Sequence, residues 1–357
     1  STVTTNSGGI GGAPTIKLRG NIGSPSGGGG NPLILVDNVE VTDISMVNPD
    51  DIESISVLKD AASASIYGAR GAFGVLLITN KAKAKHERLS VKYTNNFSWR
   101  TPTQNPEQLP GWQQAEINLQ GEKNAAANPS SVTSYNVVGN MRVDAQHIQK
   151  MKEYWDKYGY GDQFGPEMEL GRDFEFRDGG MFFIRTWDWY DQYIKDWSPQ
   201  QNHSLTINGG NGKTNYNVAL SYLNQEGMMK VNSDEYTRYN GNFSINSELN
   251  KYISVRAGAM LTRSDYDKPF NYNSDLYDQM YYLYRWQPMM PYGTFEGKPF
   301  RNAITEQSTA PTMKKQREYV RFNGGLTLKP FEGFTFGADF TYSTVENRFK
   351  KHGTPSL

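Results

Sequence analysis

From Leu89 onward the chain reads as long segments in which apolar and polar residues alternate. Between 89 and 100, Leu89, Val91, Tyr93, Phe97 and Trp99 hold odd positions, with Ser90, Lys92, Thr94, Asn96 and Ser98 between them. In 215–224, Tyr216, Val218, Leu220 and Tyr222 share a face. In 238–249, Tyr239, Gly241, Phe243, Ile245 and Leu249 alternate with Arg238, Asn240, Asn242, Ser244, Asn246 and Glu248. Ile253 to Leu261, Val320 to Leu328 and Phe334 to Tyr342 repeat the rule, and a shorter run at 204–208 makes about seven predicted strands. A period of two over ~10 residues gives a strand with one apolar and one wet face.

The links between these strands alternate in length. Gly209–Gly212, Leu249–Lys251 and Pro330–Gly333 are tight turns, whereas 101–200, 226–235 and 264–316 are long. In an up-and-down antiparallel sheet this places all tight turns at one end and all long loops at the other, as in outer-membrane barrels. The long links carry helical spacing at 104–119, 143–158 and 186–197, which predicts an ordered layer rather than passive connectors. Residues 1–86 have another texture. Glycine-rich loops flank a short strand near 15–19, PLILVDNVEV predicts a buried strand and turn, and 51–79 predicts a strand, an Ala-rich helical turn and a further strand, together a small α+β unit.

Composition narrows the function classes. Lys+Arg and Asp+Glu both number 37, so the basic footprint of a nucleic-acid binder is missing. Without Cys there is no disulfide, thiolate nucleophile or zinc ribbon, and the four His stand in no metal-ligand spacing. No run approaches the ~18 apolar residues of a membrane helix. Aromatics reach 13% in a chain of low mean hydropathy, which fits a β-protein apolar on alternate positions or a carbohydrate-binding surface. The chain starts at Ser1 without a signal peptide, which is read as a processed or partial chain.

PLILVDNVEV (32–41) and NPDDIESISVLKDAASASIYGARGAFGVLLITNK (48–81) resemble the plug signature of SusC/RagA-type TonB-dependent outer-membrane transporters of Bacteroidetes. IKLRG (16–20) resembles the preceding plug strand, and 216–230 and 238–255 resemble early barrel strands. Asp37-Asn38 stands where the family usually has Asp-Gly, Ala69-Arg70 where it has Ser-Arg, and Thr79-Asn80-Lys81 where it has Thr-Lys-Lys. None of these changes the fold that the resemblance implies: a membrane β-protein with an N-terminal α+β plug at 1–86. The first portion of a large, about 22-stranded transmembrane β-barrel follows at 87–357, here incomplete, with long extracellular loops at 101–200 and 264–316. Seven strands alone would leave two open edges in lipid, so a longer polypeptide is expected.

The resemblance further implies a Gram-negative outer-membrane location in the lipid bilayer and TonB-driven import of oligosaccharides, less often of peptides. A SusD-like lipoprotein would form a lid, and TonB would act through a segment missing from this chain. No enzyme activity, cofactor, metal or nucleic acid is expected. A soluble glycan-binding or glycan-hydrolysing β-protein is the reading from another class; it would turn its apolar strand faces toward each other. A siderophore or cobalamin receptor would lack the long run at 50–80.

Candidate site residues follow. No G-K-[ST] accompanies the glycine-rich loops, which speaks against a P-loop; the resemblance implies instead that such plug loops floor a substrate chamber, with Asn21, Ser24, Ser26 and Asn31 as the candidate contacts. Ser56 and Lys59 match S-x-x-K without its partner motifs. Asp188 and Asp191 raise a glycosidase pair whose separation sequence does not give. Trp187, Trp189, Tyr190 and Trp197 either pack a loop helix or stack on sugar rings. Glu53, Lys59, Asp60 and Arg70 are expected to form ion pairs that hold the plug.

Overall fold

The computed structural model describes residues 2–4, 10–11, 15–18, 31–41, 43–47, 52–80, 88–103, 107–137, 141–177, 179–269 and 286–351. In the N-terminal unit β1 (Thr2–Thr4) pairs antiparallel with β2 (Thr15–Lys17). A four-stranded sheet follows, made of β3 (Leu33–Val36), β4 (Val39–Val41), β5 (Ile52–Leu58) and β6 (Val75–Asn80), in the order β4-β3-β6-β5. β3 and β6 are parallel, and α1 (Ala61–Ala64) with a 3-10 turn (Ser65–Gly71) lies on the connection that returns to β6. The β3–β4 turn has Asp37 at φ 50° and Asn38 at φ 67°. Both residues are left-handed, as a two-residue hairpin of primed type requires, and Asp and Asn tolerate that region best after glycine.

The second unit is a single seven-stranded antiparallel sheet. Its first strand is β7 (Ser90–Arg100). The chain then leaves the sheet through α2 (Gly111–Ala125), the hairpin β8–β9 (Ser134–Val137, Met141–Asp144), α3 (Ala145–Tyr158), the hairpin β10–β11 (Phe174–Arg177, Gly180–Phe183) and the single turn α4 (Trp189–Tyr193). It rejoins as β12 (Ser198–Gly210), β13 (Thr214–Glu226), β14 (Glu235–Asn250) and β15 (Ile253–Pro269). A second excursion holds β16–β17 (Thr294–Phe295, Lys298–Pro299) and α5 (Ala303–Thr309), before β18 (Thr312–Leu328) and β19 (Phe336–Lys351). The sheet order is β19-β18-β15-β14-β13-β12-β7, so neighbours in the sheet follow one another along the chain and the tight and long links fall at opposite ends.

The strands run further toward the long loops than their period-two pattern. β12 begins at Ser198, not near 204, and β15 continues past Leu261 to Pro269. Beyond Leu261 both faces of β15 are polar (Thr262, Arg263, Ser264, Asp265), so the alternation that marks a strand disappears while its hydrogen-bond ladder goes on. Helix α2 starts at Gly111 because Pro110 stands before it; the residue ahead of a proline is driven out of the helical region. Asp144 caps α3 by accepting from the His147 N–H at 2.8 Å, and His147, Ile148, Met151 and Tyr154 form its buried stripe. The two excursions share one apolar core that includes Met151, Phe174, Trp187, Trp189, Tyr193 and Met289. Their backbones interlock: the Trp187 N–H donates to Pro288 O at 2.8 Å, and Met168 N–H to Thr294 O at 2.8 Å. Gly293, at φ 79°, permits this approach, since a Cβ there would lie 1.9 Å from Pro166 O.

Candidate functional site

Register fixes which residues share each face of the large sheet. Leu205, Leu220, Gly241, Leu261 and Val320 lie in one transverse row, and Ile207, Val218, Phe243, Ala259 and Phe322 in another. These residues face away from the N-terminal unit, and Leu89, Phe97, Trp99, Leu220, Leu261 and Phe322 are exposed. An exposed apolar surface of this extent marks a lipid or protein interface. Above it runs the row His203, Tyr222, Tyr239, Arg263 and Glu318, where aromatic and then charged side chains replace aliphatic ones. Tyr93 Oη lies 2.7 Å from His203 Nδ1 in this zone. Aromatic residues bordering an apolar band are the pattern of a barrel wall at the membrane interface.

The opposite face receives the N-terminal unit. Met260 and Tyr319 join the core of Ile16, Leu18, Ile34, Val36, Val41, Met46, Leu76 and Ile78. Thr262 Oγ1 donates to Met46 O at 3.3 Å and Arg321 Nη1 to Val36 O at 3.3 Å, with Arg321 only 3% exposed. Arg317 approaches Asp43 at 3.8 Å, and the Gly11 N–H donates to Gln225 Oε1 at 3.1 Å. Away from these contacts the face is polar: Asn217 Nδ2 donates to Asn208 Oδ1 at 2.5 Å, and Asn240 Nδ2 to Ser221 Oγ at 3.0 Å. A small α+β unit is thus seated on the wet side of a sheet whose other side is greasy.

Residues 1–75 match the TonB-dependent Receptor Plug Domain family. TonB-dependent receptor P39 of Formosa agariphila is 30% identical over 264 residues, covering 73% of this chain and 20% of that protein. TonB-dependent receptor SusC of Bacteroides thetaiotaomicron is 25% identical over 302 residues, covering 77% of this chain and 24% of its own length. The chain belongs to the SusC/RagA-type TonB-dependent receptors. It spans about a fifth to a quarter of the length of these curated relatives. The solved structure of the RagAB peptide transporter has the same fold over 97% of the chain, at a TM-score of 0.64 and 20% identity, and the match takes in 38% of that chain. The seven strands are accordingly part of a receptor barrel and the N-terminal unit is its plug.

Against this SusC/RagA-type frame the predicted site residues divide. Trp187 (3% exposed), Trp189 (0%) and Tyr190 lie inside the loop-layer core, where no ring face is open to a sugar; packing is their role here. Trp189 Nε1 donates to Gln287 O at 3.1 Å, and the Arg185 guanidinium lies 3.6 Å from the Trp187 ring centroid. Trp197 is 61% exposed. Asp188 caps α4 by accepting from the N–H groups of Tyr190 (3.0 Å) and Asp191 (3.1 Å), and Asp191 approaches Lys230 at 3.5 Å, so helix geometry and an ion pair account for both carboxylates. Asn31 is exposed just before β3, whereas Asn21, Ser24 and Ser26 lie outside the described residues.

Of the residues expected in plug ion pairs, Arg70 pairs with Glu40 on β4. The Asp60 carboxylate accepts from Ser63 Oγ at the start of α1, Glu53 is exposed on β5, and Lys59 is exposed beside it. Sequence reasoning also missed Arg317 and Arg321, because contact with residues nearly 300 positions away leaves no local signal; only their parity on β18, opposite to Val320 and Phe322, pointed inward. In the loop layer, burial works against the Asp144 charge, but the His147 N–H and Arg177 guanidinium outweigh it and hold the carboxyl below its ordinary range. Burial depresses the pKa of His147, whose Nε2 lies 2.8 Å from Phe183 O and whose Nδ1 has no partner among the described residues.

Proposed function

We propose that the whole protein is a TonB-dependent active importer of oligosaccharides in the outer membrane of a Bacteroidetes-type Gram-negative cell, working with a SusD-like surface lipoprotein. Residues 1–86 act as the plug and 87–357 as the first part of the barrel wall and outer loops. What supports this most directly is the seating of the plug on the polar face, by Arg321, Thr262, Met260 and Tyr319, while the reverse face carries lipid-type side chains. That arrangement is the reverse of a soluble two-sheet protein, whose apolar faces meet. Asn21, Ser24, Ser26 and Asn31 are proposed contacts on the plug side of the chamber, and exposed Trp197 a contact for ligand or lid. Force through TonB would have to break the hydrogen bonds from Thr262 and Arg321 to open the path, and no catalytic residue is needed.

Uptake of labelled oligosaccharides by cells carrying the intact protein and its lipoprotein tests this. Uptake should disappear when TonB or the lipoprotein is deleted; import that continues without TonB rejects the reading. A second reading, import of peptides, is favoured by the similarity to the RagAB peptide importer across 97% of the chain, and labelled peptides in the same assay decide between them.

A further inference from the structure

The chain has no net charge, and neither has its plug, since 1–86 contain seven Lys+Arg and seven Asp+Glu. The barrel strands nevertheless sort charge by face. On the plug side stand Lys92 and Arg100 of β7, Arg238 of β14, and Arg256 and Lys268 of β15. β18 and β19 add Lys315, Arg317, Arg321 and Lys351. Glu248 and Asp339 are the only carboxylates of these seven strands on that side. The outer side reverses the balance, with Arg263, Lys314, Arg348 and Lys350 against Glu226, Glu235, Asp265, Asp267, Glu318 and Glu346. Side-chain contacts agree with the assignment: Arg256 pairs with Asp339 inside, Lys314 with Asp267 outside.

We infer that this wall is built to pass negatively charged oligosaccharides, bearing carboxylate or sulfate groups. The inference rests on the importer reading. The plug takes up part of this charge, since Asp43 approaches Arg317 at 3.8 Å and Arg321 reaches the Val36 carbonyl, and Asp234 acts on Arg100 and Lys268; Lys92 lies exposed on β7, outside these contacts. A wall of one sign raises the local concentration of the opposite charge. The neutral residues between the cations are largely Asn, Ser and Thr (Asn96, Asn202, Ser204, Asn217, Asn242, Asn323), which hydrogen-bond hydroxyl, carboxylate and sulfate oxygens but offer little to the apolar side chains of a peptide.

The test compares uptake of labelled tetragalacturonate with that of an uncharged galactose tetramer, in cells carrying the full-length transporter and its lipoprotein. The charged tetramer should enter about tenfold faster, within the range for electrostatic focusing. Lys92→Gln with Arg238→Gln should remove most of that preference without slowing the uncharged tetramer. The outer-face pair Lys314→Gln with Arg348→Gln should leave it unchanged. If the first pair fails to assemble, Lys92→Gln alone, at an exposed position on β7, should still lower the ratio severalfold. Equal or faster entry of the uncharged tetramer overturns the charge inference and leaves the importer reading standing. Entry of an acidic peptide with neither sugar overturns the oligosaccharide reading, and the inference with it.

Discussion

Replacing Phe340 by Arg puts a charge on the outer face of β19, where the ring is 68% exposed. Phe340 is level with Gly324 and, one strand further, Ala257. On β15 the apolar run from Ile253 to the Arg263 row covers ten residue steps, or ~33 Å along the strand at ~3.3 Å per residue. With strands tilted ~40°, that becomes ~25 Å across the membrane, matching the apolar band of outer-membrane barrels. Ala257 and Phe340 then lie ~10 Å above its lower edge, in the central part of the band. An Arg there should cost about 3 kcal/mol, roughly a hundredfold in the ratio of folded to unfolded protein. Thr341→Arg, one residue on, points to the plug side beside Asp339 and should cost less than ~1 kcal/mol. Urea titration of the full-length protein folded into phospholipid vesicles, read by heat-modifiable gel mobility, measures both. Equal losses at the two positions, or a greater loss at Thr341, would refute the assignment of faces.

Three further outcomes follow from named contacts. Arg321→Met keeps an apolar stem but removes the donor to the buried Val36 carbonyl; the plug hairpin β3–β4 should exchange amide hydrogens faster, by about 1–3 kcal/mol of local stability, and unchanged protection would show that Arg321 does not hold the plug. Trp189→Ala should destabilise the loop layer by about 3–5 kcal/mol, while Trp197→Ala leaves its protease resistance intact; the reverse order would reject the core assignment. The α3 region should loosen in acid. A buried His with depressed pKa contributes fully above its unfolded pKa of about 6.5 and loses that contribution as pH falls below it, and the depressed Asp144 adds a second loss below about pH 4. Hydrogen exchange of α3 from pH 8 to 2.5 reads both losses, and His147→Gln should flatten the upper part of the profile.

Much of the architecture is legible in the sequence because a barrel wall writes its two environments into alternate residues. Where one face meets lipid and the other water, as from Ile253 to Leu261, parity alone gives strand, face and register. The same logic explains where legibility ends. Past Arg263 both faces are wet, so the upper strands read as loop although their ladder continues. In the loop layer, burial comes from contacts between two excursions separated by more than a hundred residues, such as Trp187 with Tyr292, and a local pattern cannot tell a Trp that packs from a Trp that binds. Charge is the sharper case. A composition of 37 against 37 excludes a basic footprint only if charges mix freely on one surface. A sheet separates odd from even positions, so a neutral chain can present a cationic wall on one side and an acidic one on the other. The quantity that bears on a transported ligand is charge per face, and it becomes readable once register has placed Lys92, Arg238, Arg256 and Arg321 on the side of the plug.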